Sequence, residues 1–116
     1  MLSDLGPVAA LTTDVSVREL AAAIARGDSL LIVDVREKHE LAIASFPEAL
    51  HVPLRTLPAR ASELPRDRTL VLACHHGQRS QNALEFLQRQ GFTRLQNLTG
   101  GIDAWSLEVD KTVPRY

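Results

Sequence analysis

The chain has 116 residues, 45% of them hydrophobic, which is enough for one compact domain with a real core. Its 13 basic side chains face 14 acidic ones, for a net charge of −1, so there is no electrostatic footing for nucleic acid or for an anionic membrane surface. No apolar run is long enough to span a bilayer, residues 1–11 lack the basic start and long apolar stretch of a signal peptide, and the single cysteine cannot close an internal disulfide; a reducing, cytoplasmic setting is expected.

Residues 1–10 have little periodicity and read as a loose lead-in, and 11–15 as a short strand. Ser16 and Glu19 have capping-box spacing, and Val17, Leu20, Ala21 and Ile24 then repeat with helical period until Gly27 closes the helix. Leu30-Leu31-Ile32-Val33 is a continuous apolar run, typical of a strand covered on both faces, and Asp34 and Arg36 follow at its C-terminal end. Residues 37–44 read as a short helix stopped before Pro47, and 49–52 as a brief strand. Residues 54–64 carry helical spacing at Leu57, Ala61 and Leu64, with Pro58 in the first turn. After the turn at 65–68 comes a second apolar run, Leu70-Val71-Leu72-Ala73, then a helix from Ser80 to about Gln90 with Gly91 as its cap. A strand at 94–98, a turn at Thr99-Gly100-Gly101, a short helix from Ile102 and a tail over 107–116 complete a single domain of residues 1–116. Alternating strands and helices predict an α/β sandwich with a mainly parallel sheet, whose ligand site lies beyond the C-terminal strand ends. Asp34 and Cys74 both fall at such ends.

Cys74 is the chemical centre of this pattern. It ends a buried strand, and His75-His76-Gly77-Gln78-Arg79-Ser80 then leads into a helix. The N-terminus of a helix offers amide N–H groups without intrahelical partners, and such a place favours a thiolate and an anion beside it. A free cysteine at a strand end also serves as a small buried hydrophobe. That role needs neither Gly77, which lets the backbone turn back, nor the fixed positive charge of Arg79. The residues therefore favour a reactive thiol in a cradle sized for one tetrahedral anion or the terminal sulfur of a persulfide.

Three stretches together resemble the rhodanese-like sulfurtransferases of single-domain type. These are Asp34-Val35-Arg36-Glu37 with Ala49-Leu50-His51-Val52-Pro53, the loop from Cys74 to Ser80, and Gly100-Gly101-Ile102-Asp103-Ala104-Trp105. The resemblance covers nearly the whole chain. It implies a three-layer sandwich, with a mainly parallel five-stranded sheet and helices on both faces. It also implies a ping-pong reaction in which Cys74 takes a sulfane sulfur from a donor such as thiosulfate, releases sulfite, and yields the sulfur to cyanide, a thiol or a carrier protein. The amides from His75 to Ser80 would hold the persulfide, and Arg79, with His75 or His76, would favour a small sulfur-containing anion or a persulfide donor. No metal and no organic cofactor is implied. One departure is Glu48, which stands where members often carry glycine. The chain is also similar, down to Val113-Pro114-Arg115-Tyr116, to rhodanese domains attached to ubiquitin-like-protein-activating enzymes, which implies a sulfur-accepting protein partner.

Asp34 and Arg36 are expected to hold neighbouring loops by hydrogen bonds and a salt bridge more than to orient substrate. Adjacent histidines with one cysteine lack the usual zinc-site spacing, so no metal site is expected at His75 and His76. His39 reads as a solvated helix face, His51 as part of a strand and Trp105 as a packing residue. Three other functions compete with sulfur transfer. A cysteine phosphatase or arsenate reductase would hold five residues between cysteine and arginine, against four here. A non-catalytic interaction module would not need the cysteine. An oxidant sensor would need a resolving thiol from outside the chain.

Overall fold

A computed structural model describes residues 14–116. The lead-in at 1–10 and most of the strand expected at 11–15 lie outside the described residues. What is seen of that strand is β1 (Asp14–Val15). Helix α1 (Val17–Arg26) starts on the expected capping box: Ser16 Oγ accepts from the Glu19 amide at 3.1 Å, and Glu19 Oε1 accepts from the Ser16 amide at 2.8 Å. Gly27 closes it with φ of 77°.

Strand β2 (Leu30–Asp34) leads through α2 (Lys38–Leu41) to β3 (Leu50–His51). Helix α3 (Leu57–Arg60) lies between two 3-10 turns, Leu54–Thr56 and Ala61–Glu63. Then come β4 (Thr69–Ala73), α4 (Gln78–Arg89), β5 (Leu95–Leu98) and α5 (Gly101–Glu108). The five strands pair in the order β1-β5-β4-β2-β3, all parallel. All C-terminal ends therefore share one edge, and Asp34 aligns with Ala73 there.

The period-two alternation of the strands divides the core. Leu70, Leu72, Val33 and Leu95 face α3 and α4, packing on Leu57, Ala61, Ala83, Leu84 and Leu87. Val71, Ala73, Ile32 and Leu98 face α1 and α5, packing on Val17, Leu20, Ile102 and Trp105. Both sheet faces are covered, which is why β2 and β4 read as unbroken apolar runs.

Four boundaries differ from the sequence reading, each for a local reason. The single helix expected over 54–64 is three short pieces: Pro58 has no N–H to carry the ladder back to Leu54, and Arg60 leaves the regular helix at φ of −108°. The helix expected over 37–44 stops at Leu41, because the Arg36 guanidinium takes the Ala44 carbonyl at 2.9 Å and draws that turn inward. Helix α4 begins at Gln78, not at Ser80, because Gly77 turns the chain with φ of 115° and Cys74 Sγ accepts from the Ser80 amide in the first turn. Helix α5 extends to Glu108, past the start of the expected tail.

Candidate active site

Cys74 follows β4 directly, and its sulfur lies under the N-terminus of α4. The Gly77 amide donates to Sγ at 3.0 Å and the Ser80 amide at 3.4 Å, while Ser80 Oγ lies 3.3 Å away. N–H groups, not carbonyls, face the sulfur. The sulfur thus meets the positive end of the α4 dipole and two orphan helix donors together. Cys74 is more enclosed than an open nucleophile, at 1% exposure. Exclusion of water strengthens each of these contacts.

The loop is held by polar partners on its far side. Ser80 Oγ donates to Asn97 Oδ1 at 2.5 Å, and Asn97 Nδ2 donates to the Gly77 carbonyl at 3.2 Å. Asn97 comes from β5, next to β4 in the sheet. The carbonyls of Cys74 and His75 accept from the amides of Ile102 and Asp103 in the first turn of α5. Gly101 makes that approach feasible: a Cβ there would lie 2.4 Å from both carbonyl oxygens.

Arg79 does not point freely toward a substrate anion. Its Nη1 and Nη2 donate to Glu40 Oε2 and Oε1 at 2.7 and 2.8 Å. This forked pair carries the Glu40 carboxyl down to about 2, chiefly through the Arg79 bonds, and keeps the guanidinium charged. Arg79 therefore braces the loop. Glu40 receives a further bond from the Glu37 amide at 2.8 Å.

Asp34 and Arg36 form a buried ion pair, with Arg36 Nη2 2.7 Å from Asp34 Oδ2 and exposures of 1% and 0%. Burial works against the Arg36 charge, but the bonds to Asp34 and to the Tyr116 oxygen outweigh it. Arg36 also fixes its surroundings, since its carbonyl accepts from His51 Nε2 at 2.6 Å. The pair supports the loop ends and does not touch the sulfur. Trp105 packs edge-on against Phe46 with centroids 5.7 Å apart, in the core as expected. His39 is exposed on α2.

His75 and His76 stack with centroids 3.9 Å apart, and burial, then the charge of His76, lowers the pKa of His75. Folding brings both histidines near Asp103, with ligand-type atoms of all three within 4.8 Å of one another. Sequence spacing did not reveal that cluster. Two rings only 26° from parallel direct their in-plane lone pairs side by side, which suits one shared ion poorly, and Asp103 already receives both Nε and Nη2 of Arg115.

Sequence reasoning missed Glu40, Asn97 and Tyr116. Tyr116 figures in the sequence reading only within the tail Val113-Pro114-Arg115-Tyr116, and Asn97 lies in β5 beside a second amide, Gln96, so neither stands out as a site residue. A cleft of about 410 Å³ flanks the loop between Gln78, Gln81, Asn97 and Thr99, whereas a cleft of about 330 Å³ beside Leu30 and Arg68 lies at the far end of β2 from Cys74. No helix among the described residues is long and apolar enough to cross a membrane.

Comparison with known proteins places the chain in a family and identifies its fold. The rhodanese-like domain family matches residues 16–108. A protein of Allochromatium vinosum named sulfurtransferase is 38% identical over 96 residues, spanning 83% of this chain and 90% of its own. The adenylyltransferase and sulfurtransferase MOCS3 of Arabidopsis thaliana is 26% identical over 129 residues, and the match spans 96% of this chain but 28% of that protein. Among solved structures, a rhodanese-related protein of Thermoplasma volcanium superposes with a TM-score of 0.77 at 30% identity, covering 84% of this chain and 93% of that one.

Proposed function

The chain belongs to the rhodanese-like domain family, and we propose that within it Cys74 carries sulfane sulfur from a donor such as thiosulfate to a thiophilic acceptor. In the first half-reaction the Cys74 thiolate attacks the outer sulfur of thiosulfate. The S–S bond of the donor breaks, sulfite leaves with the electron pair, and a persulfide anion forms on Cys74. In the second, cyanide, a thiol or the C-terminal group of a carrier protein attacks the terminal sulfur, and Cys74 departs as thiolate. Sulfur moves as a neutral atom, so the cycle needs no net redox partner. A thiol that must stay reduced suits the cytoplasm.

The observation that carries this reading is the pair of amides, Gly77 and Ser80, aimed at Sγ at 3.0 and 3.4 Å. Oriented N–H dipoles favour negative charge on the thiolate and on the terminal sulfur it takes up. With Arg79 committed to Glu40, the anion is held by main-chain dipoles and not by a free guanidinium. The test is mass spectrometry of the intact protein after thiosulfate or an alkyl persulfide. A gain of one sulfur atom, mapped to Cys74 and reversed by cyanide, is expected. Cys74→Ser should show no gain and no turnover. Absence of the gain in the native protein with both donors would end the proposal.

A further inference from the structure

Tyr116 has no part in the sulfur-transfer steps, yet it reaches the site. Its ring lies face to face with His75, centroids 3.9 Å and planes 8° apart. Its phenolic oxygen accepts from Arg36 Nη1 at 2.8 Å and donates to Glu40 Oε1 at 3.1 Å. One hydroxyl thus joins the two ion pairs of the site, Asp34–Arg36 at the end of β2 and Glu40–Arg79 at the start of α4. Burial, the foremost cause, pushes the phenol above its ordinary pKa, so the O–H persists as a donor.

The approach to this position is built. Arg115 is paired with Asp103, Ser106 Oγ donates to the Val113 carbonyl, and Val113 packs against the core cluster beneath α5. Tyr116 also completes the Glu40 carboxylate. Oε2 receives Arg79 and the Glu37 amide, and Oε1 receives Arg79 and the phenol. Four donors leave that carboxylate one orientation, and its orientation sets where Arg79 stands. Arg79 immediately precedes Ser80, whose amide and hydroxyl face the sulfur.

We infer that Tyr116 is a positioning residue for sulfur transfer: its hydroxyl locks Glu40, and through Arg79 it keeps the Ser80 amide aimed at Cys74. This rests on the sulfur-transfer reading. The contact lies outside the reacting atoms, so its loss should slow the chemical step and spare donor binding.

The test is steady-state turnover with thiosulfate, and separately with glutathione persulfide, with cyanide as acceptor. Tyr116→Phe keeps the ring on His75 and removes both hydroxyl bonds. It should lower kcat about tenfold and leave KM within about twofold. In a Glu40→Gln background, whose carboxylate is already gone, the same substitution should cost little more. Should Tyr116→Phe fail to fold, Tyr116→Trp, which retains an aromatic face but cannot bridge Arg36 to Glu40 in this way, reads the same quantity. Unchanged kcat, a change in KM alone, or an equal loss with and without the Glu40 carboxylate would overturn the inference while leaving sulfur transfer intact. A native protein that forms no persulfide from either donor would remove both.

Discussion

Ile102 donates its amide N–H to the carbonyl oxygen of Cys74 at 2.9 Å, and Asp103 does the same for His75 at 3.1 Å. A loop that gathers N–H groups around a sulfur must send its carbonyls somewhere, since every buried backbone oxygen needs a partner. The N-terminus of α5 receives them. Two helix ends therefore converge on one loop, α4 supplying donors to the sulfur and α5 supplying donors to the oxygens behind it.

Gly101 is the tightest point of that convergence. It holds φ of 57°, and an added Cβ would lie 2.4 Å from the carbonyl oxygens of both Cys74 and His75. Gly101→Ala should cost about 2–4 kcal/mol in a denaturant or thermal melt and reduce turnover more than about tenfold. A stable, fully active alanine variant would show that the two helix ends can part without harm.

The Glu40 carboxyl is depressed to about 2 in the folded protein, against an ordinary value of 4.5. The unfolded chain binds the proton first as pH falls, so the contribution is complete above about pH 4.5 and fades between there and about pH 2. Arg79 is partly open to solvent, which screens the pair, so the amount lost is on the order of 2 kcal/mol. Stability measured from pH 6 to pH 2.5 should fall more steeply in the native protein than in Glu40→Gln. Parallel curves would refute this assignment.

The Asp34–Arg36 pair lies in the interior, where removing one partner strands a charge. Asp34→Asn and Arg36→Met should each cost about 3–5 kcal/mol, and the two together should cost clearly less than the sum. Chemical denaturation of the three variants measures this directly. Additive losses would mean that the two residues act separately.

Glu48 holds φ of 51°, the one non-glycine residue with positive φ among the described residues, and it is exposed. Glu48→Gly should raise stability by about 0.5–1 kcal/mol, or a few degrees in Tm, because relief of the left-handed strain exceeds the added freedom of the unfolded chain. Activity should be unchanged. A drop in Tm would show that Glu48 makes a contact worth more than its strain.

Much of the site was legible before folding. Cys74 at the end of its apolar run, the glycine three positions on and Ser80 beyond it lie within seven residues, and a strand-to-helix loop of that size has little freedom in where its amides go. The unbroken apolar run of β2 likewise pointed to a strand covered on both faces. The helix starts two residues earlier than the sequence suggests because its N-cap is Gly77, which has no side chain, and caps are usually read from hydroxyls and carboxylates. The role of Arg79 was not legible: its partner is 39 positions away in the chain. Tyr116 and Glu40 are 76 apart.

The amino-acid order alone determined the α/β class, the placement of the thiol at a strand's C-terminal end and the nature of the loop, because each follows from interactions spanning a few residues. Which charges pair, which carbonyls α5 receives and where the Tyr116 phenol docks were decided only when the parallel sheet brought the ends of β2, β4 and β5 to one edge. No local pattern encodes a contact between residues whose proximity depends on how five strands are ordered.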